Sequence, residues 1–252
     1  MLRQMTRFGM IAVLGAASAA HAANYAGNGA TGFGGPVGNG SLDVTDTASS
    51  LTVTANRGGG GWNDALVVYL DTQAGGFGDT STLVDNNDGG RTAISGVTGN
   101  GRTTAFFPAG FGADYAMVIE NGYFGVFQIS DQAFPPGHTF LFGAPQSGNN
   151  LAPSYSITLD ASQMAQIGLT AGSGQTFGLV GTYISPSGYR SNETIGASVT
   201  VPGNPGGDPN NAGFTGTVTF SAANSYSLVV PEPASFALVG LGALGVLARR
   251  RK

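Results

Sequence analysis

Between residues 41 and 221 the apolar side chains come in short runs, some alternating with polar residues and some unbroken and β-branched, and Gly, Asn, Asp and Pro separate the runs. Period two places every second side chain on one face of a strand, so this pattern commits the chain to sheet. Ser41-Leu42-Asp43-Val44-Thr45 and Ser50-Leu51-Thr52-Val53-Thr54 alternate and predict half-buried strands. Ala65-Leu66-Val67-Val68-Tyr69-Leu70 is apolar throughout and predicts a central strand covered on both faces. Further strands are expected at 103–107, 115–120, 123–129, 139–142, 155–159, 176–185, 197–201 and 214–221. Asn121-Gly122 between two of these is a hairpin signal, because both residues readily adopt positive φ. One short helix is expected at 161–167, capped by Asp160 with Gln163 three residues on and ended by Gly168. Residues 202–212 read as a long loop. The expected class is all-β, an antiparallel β-sandwich with one short helix.

The two ends do not share this pattern. Arg3 and Arg7, an apolar stretch at 8–19 and Ala20-His21-Ala22 form a signal peptide over 1–22, with the mature chain starting at Ala23. Residues 23–40 are expected as a flexible, glycine-rich lead-in and 41–229 as the sandwich domain. The tail, 230–252, holds Pro231-Glu232-Pro233, an apolar stretch at 234–248 and Arg249-Arg250-Arg251-Lys252. Fifteen helical residues reach about 22 Å, short of the roughly 30 Å hydrocarbon core, so the expected hydrophobic helix inserts only marginally. The basic cluster acts as a membrane stop on the cytoplasmic side and places the domain across the membrane.

With both ends removed, four arginines (Arg57, Arg91, Arg102, Arg190) stand against thirteen acids between Asp43 and Asp208, a charge of about −9. Such a surface disfavours nucleic acid and leaves cations or neutral glycans as partners. Cysteine is absent, which excludes thiolate zinc sites, cysteine nucleophiles and thiol redox chemistry.

The tail resembles the PEP-CTERM sorting signal of Gram-negative bacteria: the tripeptide at Pro231, Glu232 and Pro233, a short apolar helix and a terminal arginine cluster. The resemblance implies export through the Sec machinery and signal peptidase, transient anchoring in the inner membrane, and recognition of the tripeptide by an exosortase. Release to the cell surface or a biofilm's extracellular matrix would follow. In the body, Val67-Val68-Tyr69-Leu70-Asp71-Thr72, Gly110-Phe111-Gly112-Ala113-Asp114-Tyr115-Ala116, Ser156-Ile157-Thr158-Leu159 and Gly188-Tyr189-Arg190-Ser191-Asn192-Glu193 resemble a DOMON-like sandwich, the group that includes family 9 carbohydrate-binding modules. That resemblance implies glycan or cofactor binding.

Aromatic residues on turns and edges are the candidate glycan contacts: Trp62, after Gly58-Gly59-Gly60-Gly61, with Tyr123, Tyr183 and Tyr189. Asp79, Asp85, Asn86, Asn87 and Asp88, joined by Asp71, supply oxygen ligands of the kind a structural calcium takes, without the EF-hand spacing. No other cofactor is expected. Asp71, Asp79, Asp114 and Glu120 are the acids from which a polysaccharide hydrolase would draw its pair. His138, expected at a surface or edge, has no nucleophile elbow to serve. The reading is an exported, non-catalytic sandwich with weak glycan-binding or adhesive contacts to extracellular polysaccharide, the alternatives being a secreted hydrolase and a purely structural matrix protein.

Overall fold

The computed structural model describes residues 21–98, 101–201 and 214–230. Strands β1 (His21–Ala26), β2 (Ser41–Thr47), β3 (Ser50–Asn56) and β4 (Ala65–Asp71) precede helix α1 (Gly89–Ser95). The short β5 (Val97–Thr98), β6 (Gly101–Arg102) and β7 (Thr104–Phe106) lead to β8 (Tyr115–Ile119), β9 (Tyr123–Gln128), β10 (Thr139–Pro145) and β11 (Ser154–Asp160). After helix α2 (Ala161–Gln166) come β12 (Thr176–Ile184), β13 (Arg190–Ile195), β14 (Ser198–Val201), β15 (Phe214–Thr215), β16 (Thr217–Phe220) and β17 (Asn224–Ser227).

One sheet runs β1-β2-β3-β11; the larger runs β10-β9-β8-β4-β12-β13-β15, with β17 also on β12. Strand β4 shows why they stack. Leu66, Val68 and Leu70 enter a core shared with Leu42, Val44, Leu51, Val53, Ile157 and Leu159 of the smaller sheet. Ala65, Val67 and Tyr69 point the other way, into a second core with Ile94 of α1, Ala105, Val218 and Phe220. Every residue from Ala65 to Leu70 is at most 2% exposed, as its unbroken apolar run requires. The sandwich therefore carries a partial third layer made of α1 and the small sheet β14-β16-β7, whose β16–β7 pairing is parallel.

Local signals place several elements. Strands β2 and β3 alternate buried and half-buried positions along most of their length. Asp160 Oδ1 accepts from the amides of Ser162 (2.8 Å) and Gln163 (2.9 Å), and Gln163 Oε1 accepts from the Asp160 amide (3.1 Å), completing the capping box of α2. Strands β8 and β9 form the expected hairpin, with Ile119 opposite Phe124. Neither Asn121 nor Gly122 has positive φ, so the turn is not the primed type those residues suggest.

Four expectations are corrected. There are two helices among the described residues, not one: α1 begins on Gly89-Gly90, a poor helix start rescued by Asp88, whose side chain caps the Arg91 amide. No helix among the described residues is long and apolar enough to cross a membrane, so the transmembrane helix and the transient inner-membrane anchor are withdrawn. Residues 234–248, on which they rested, lie outside the described residues. The segment 23–40 is not a loose lead-in. Strand β1 pairs with β2 from His21 to Ala26, and Glu193, fully buried, accepts the amides of Phe33 (2.7 Å) and Gly35 (3.1 Å) on Oε1 and of Val37 (3.0 Å) and Gly38 (3.1 Å) on Oε2. Four amide dipoles compensate a carboxylate removed from water, so this acid holds the segment to β13. Finally, His138 is fully buried rather than at the surface.

Both ends of the described body meet at Asp46, 2% exposed at the end of β2. The Tyr226 hydroxyl is shared between Asp46 Oδ1 (2.8 Å) and the His21 carbonyl (2.9 Å), and the Val229 amide donates to Asp46 Oδ2 (2.7 Å). Val230 beyond it is 63% exposed.

Candidate functional site

A cleft of about 460 Å³ opens over β9, within the size range of small-ligand sites. Tyr123, Gly125 and Phe127 lie on one face of this strand by period two. A Cβ on Gly125 would collide with the Tyr123 hydroxyl, so only glycine lets that ring lie flat along the strand. Phe140 on β10 meets Phe127 edge-on at 5.5 Å between centroids, and Phe142 meets Phe124 at 6.4 Å on the opposite face of the sheet. Residues 140 and 142 would share a face in a regular strand. A register shift between them, a bulge at Leu141, turns Phe140 into the cleft, where it is 45% exposed.

The walls are Asp88, Gly89, Gly90 and Arg91 at the start of α1, Glu120 at the β8–β9 turn, and Pro186. Arg91 is held rigidly: Nε lies 3.3 Å from Asp85 Oδ2 and donates to the His138 carbonyl at 3.1 Å, and Nη1 pairs with Asp88. Its guanidinium stacks 5.2 Å from the Phe127 centroid and 5.7 Å from that of Phe134. Glu120 is half-buried, and its carboxylate accepts no hydrogen bond among the described residues. Burial first, then the negative charges of Asp64 and Asp88, hold it above the usual carboxylate range. Burial likewise raises the Tyr123 phenol, with Asp88 adding and Arg91 opposing.

The expected aromatic contacts separate. Tyr123 lines the cleft, while Trp62 and Tyr183 belong to the inter-sheet core at 1% and 0% exposure. Trp62 donates Nε1–H to the Ala152 carbonyl (3.2 Å) and packs edge-on against Tyr155 and Tyr183, so it is no exposed sugar platform. Tyr189 is half-buried in the turn between β12 and β13 and is not among the residues that line the cleft.

The oxygen-rich loop does not converge on a cation. Asp79 accepts from the Ser81 amide, Asp85 from the amides of His138 (2.7 Å) and Asn87 (3.1 Å), and Asp88 caps α1. Asp71 accepts from the Gly112 amide (3.2 Å) at the far end of β4. Among the described residues no group of three or more acids or histidines could hold a metal ion.

Of the hydrolase acids, Asp71 and Asp114 adjoin at paired ends of β4 and β8, close enough that Asp114 adds to the raised pKa of Asp71, while Glu120 lies at the opposite end of β8. Asp114 precedes β8 and Glu120 follows it, six residues or about 20 Å apart along an extended strand. Asp114 Oδ2 accepts from the amides of Thr72 (3.0 Å) and Gln73 (2.9 Å), and Asp79 bridges to Phe106. A Ser–His pair does form, Ser95 Oγ to His138 Nε2 at 2.8 Å. His138 Nδ1 accepts from the Ser130 amide (3.1 Å), so in the neutral ring Nε2 carries the proton and donates to Ser95. That is the wrong tautomer for a base acting on the serine.

Sequence reasoning missed Phe127, Phe140, Arg91 and Phe134 at the site. Only Arg91, as one of four basic residues in an acidic body, carried any signal of its own.

Comparison with known proteins locates one feature. The family model described as the PEP-CTERM protein-sorting motif matches residues 229–252. The chain is thus an exported, PEP-CTERM-tagged protein of mostly β-structure. The match begins at Val229, whose amide Asp46 holds. Ala22 and Ala23 of the expected signal cut lie in β1, while Ala20, Pro231, Glu232, Pro233, Arg249, Arg250, Arg251 and Lys252 lie outside the described residues. No curated protein and no solved structure matches the chain. The DOMON-like likeness of the body therefore finds no support.

Proposed function

We propose that this protein is carried by its sorting motif to the cell surface or extracellular matrix and there makes weak, non-catalytic contacts with polysaccharide through the cleft of Tyr123, Phe127 and Phe140. The observation that carries this reading is a bulge-turned, half-exposed phenylalanine beside a tyrosine laid flat over glycine. Ring faces so presented stack on the apolar faces of sugars, and a neighbouring carboxylate can accept from sugar hydroxyls. The backbone amides that engage Asp79 and Asp114 and the tautomer of His138 support a binding rather than a catalytic role.

The test is titration of the processed protein with neutral oligosaccharides, followed by NMR shifts of the β9 and β10 amides. Millimolar binding that falls at least tenfold in Tyr123→Ala and Phe140→Ala supports the reading. Failure to bind any oligosaccharide would leave the purely structural matrix role in its place.

A further inference from the structure

Resting on that reading and narrowing its ligand, we propose that the cleft selects sugars bearing a protonated amine, of the glucosamine type, over neutral or anionic ones. Asp85 and Asp88 both engage Arg91, leaving Glu120 as a carboxylate in the cleft wall with no cation of its own. Asp64 adds further negative potential behind it.

No other basic group of the body is free to answer. The Arg57 guanidinium donates to the carbonyls of Leu151 (3.1 Å) and Ala152 (3.1 Å), and that of Arg102 to the Thr80 carbonyl (2.8 Å). Arg190 is fully buried beside Thr182. The sole lysine of the chain is Lys252, in the tail. A ligand ammonium would therefore meet an unneutralised carboxylate and, in the same cleft lining, the rings of Tyr123 and Phe140, which offer an ion pair and a cation–π contact. A uronic acid in the same place would face Glu120 with like charge, and the cation of the cleft wall, Arg91, is already engaged by Asp85 and Asp88.

The experiment titrates the processed protein with a glucosamine hexamer and with an N-acetylglucosamine hexamer, at a pH where the free amines are protonated. The expected result is roughly a tenfold preference for the amine form. Glu120→Gln, isosteric and half-exposed, should bring the two affinities together by weakening the amine form roughly tenfold more than the acetylated hexamer. Because this variant removes one charge from a body near −9, a preference that survives it comes from diffuse attraction and overturns the proposal. Equal or tighter binding of the acetylated hexamer by the native protein also overturns it, while the cleft reading stands. Binding of neither hexamer overturns the amine preference, and the cleft reading falls with it only if no other neutral oligosaccharide binds.

Discussion

Acidification from pH 7 to pH 5 should destabilise this domain through His138. The ring is fully buried between Ser95 and the Ser130 amide. Burial, aided by Arg91 and opposed by Asp85 and Asp88, lowers its pKa from 6.5 to about 4. A histidine depressed in this way contributes stability that is complete above the unfolded value and is lost as pH falls toward the folded one. Taking 6.5 for the unfolded chain and about 4 for the folded one, the loss is about 2 kcal/mol between pH 7 and pH 5 and about 3 kcal/mol by pH 4. Glu120, Asp64 and Asp71 act in the opposite sense, since burial raises their pKa values and their protonation favours the folded state. The effect of His138 is therefore read as a difference between the native protein and His138→Gln, which keeps an acceptor for Ser130 and a donor for Ser95. Urea unfolding followed by the emission of Trp62, the one tryptophan and 1% exposed, supplies the midpoints. The native midpoint should fall by roughly 1 M more than that of the variant between pH 7 and pH 5. Midpoints that fall in parallel would refute the assignment of a buried, neutral histidine.

Two further substitutions test contacts between distant parts of the chain. Glu193→Ala strands four amides of 33–38 and should cost about 3–5 kcal/mol in urea unfolding, so a loss below 1 kcal/mol would show that the segment does not depend on this carboxylate. Asp46→Ala frees the Val229 amide and the Tyr226 hydroxyl, and should speed hydrogen exchange at Leu228 and Val229 at least tenfold. Unchanged protection there would mean that the body does not grip the start of the sorting motif.

Period two along β2 and β3, the unbroken run of β4, the capping box of α2 and the sorting motif at 229–252 were all legible in the residues themselves, because each depends on neighbours within a few positions. Helix α1 was not, since its cap on Asp88 is opposed by two glycines and its buried face, Ala93 and Ile94, needs the second core to exist. The site was harder still to read. Trp62 looked exposed beside four glycines and is instead closed in by Tyr155 and Tyr183. Phe140, read only as a member of a short strand, faces outward through a single bulge against β9. Local chemistry therefore determined that this chain forms sheet and carries an address. Sheet order and register alone decided which rings face solvent and which acids remain without a cation, because those partners lie tens of residues apart and meet only when the two cores close.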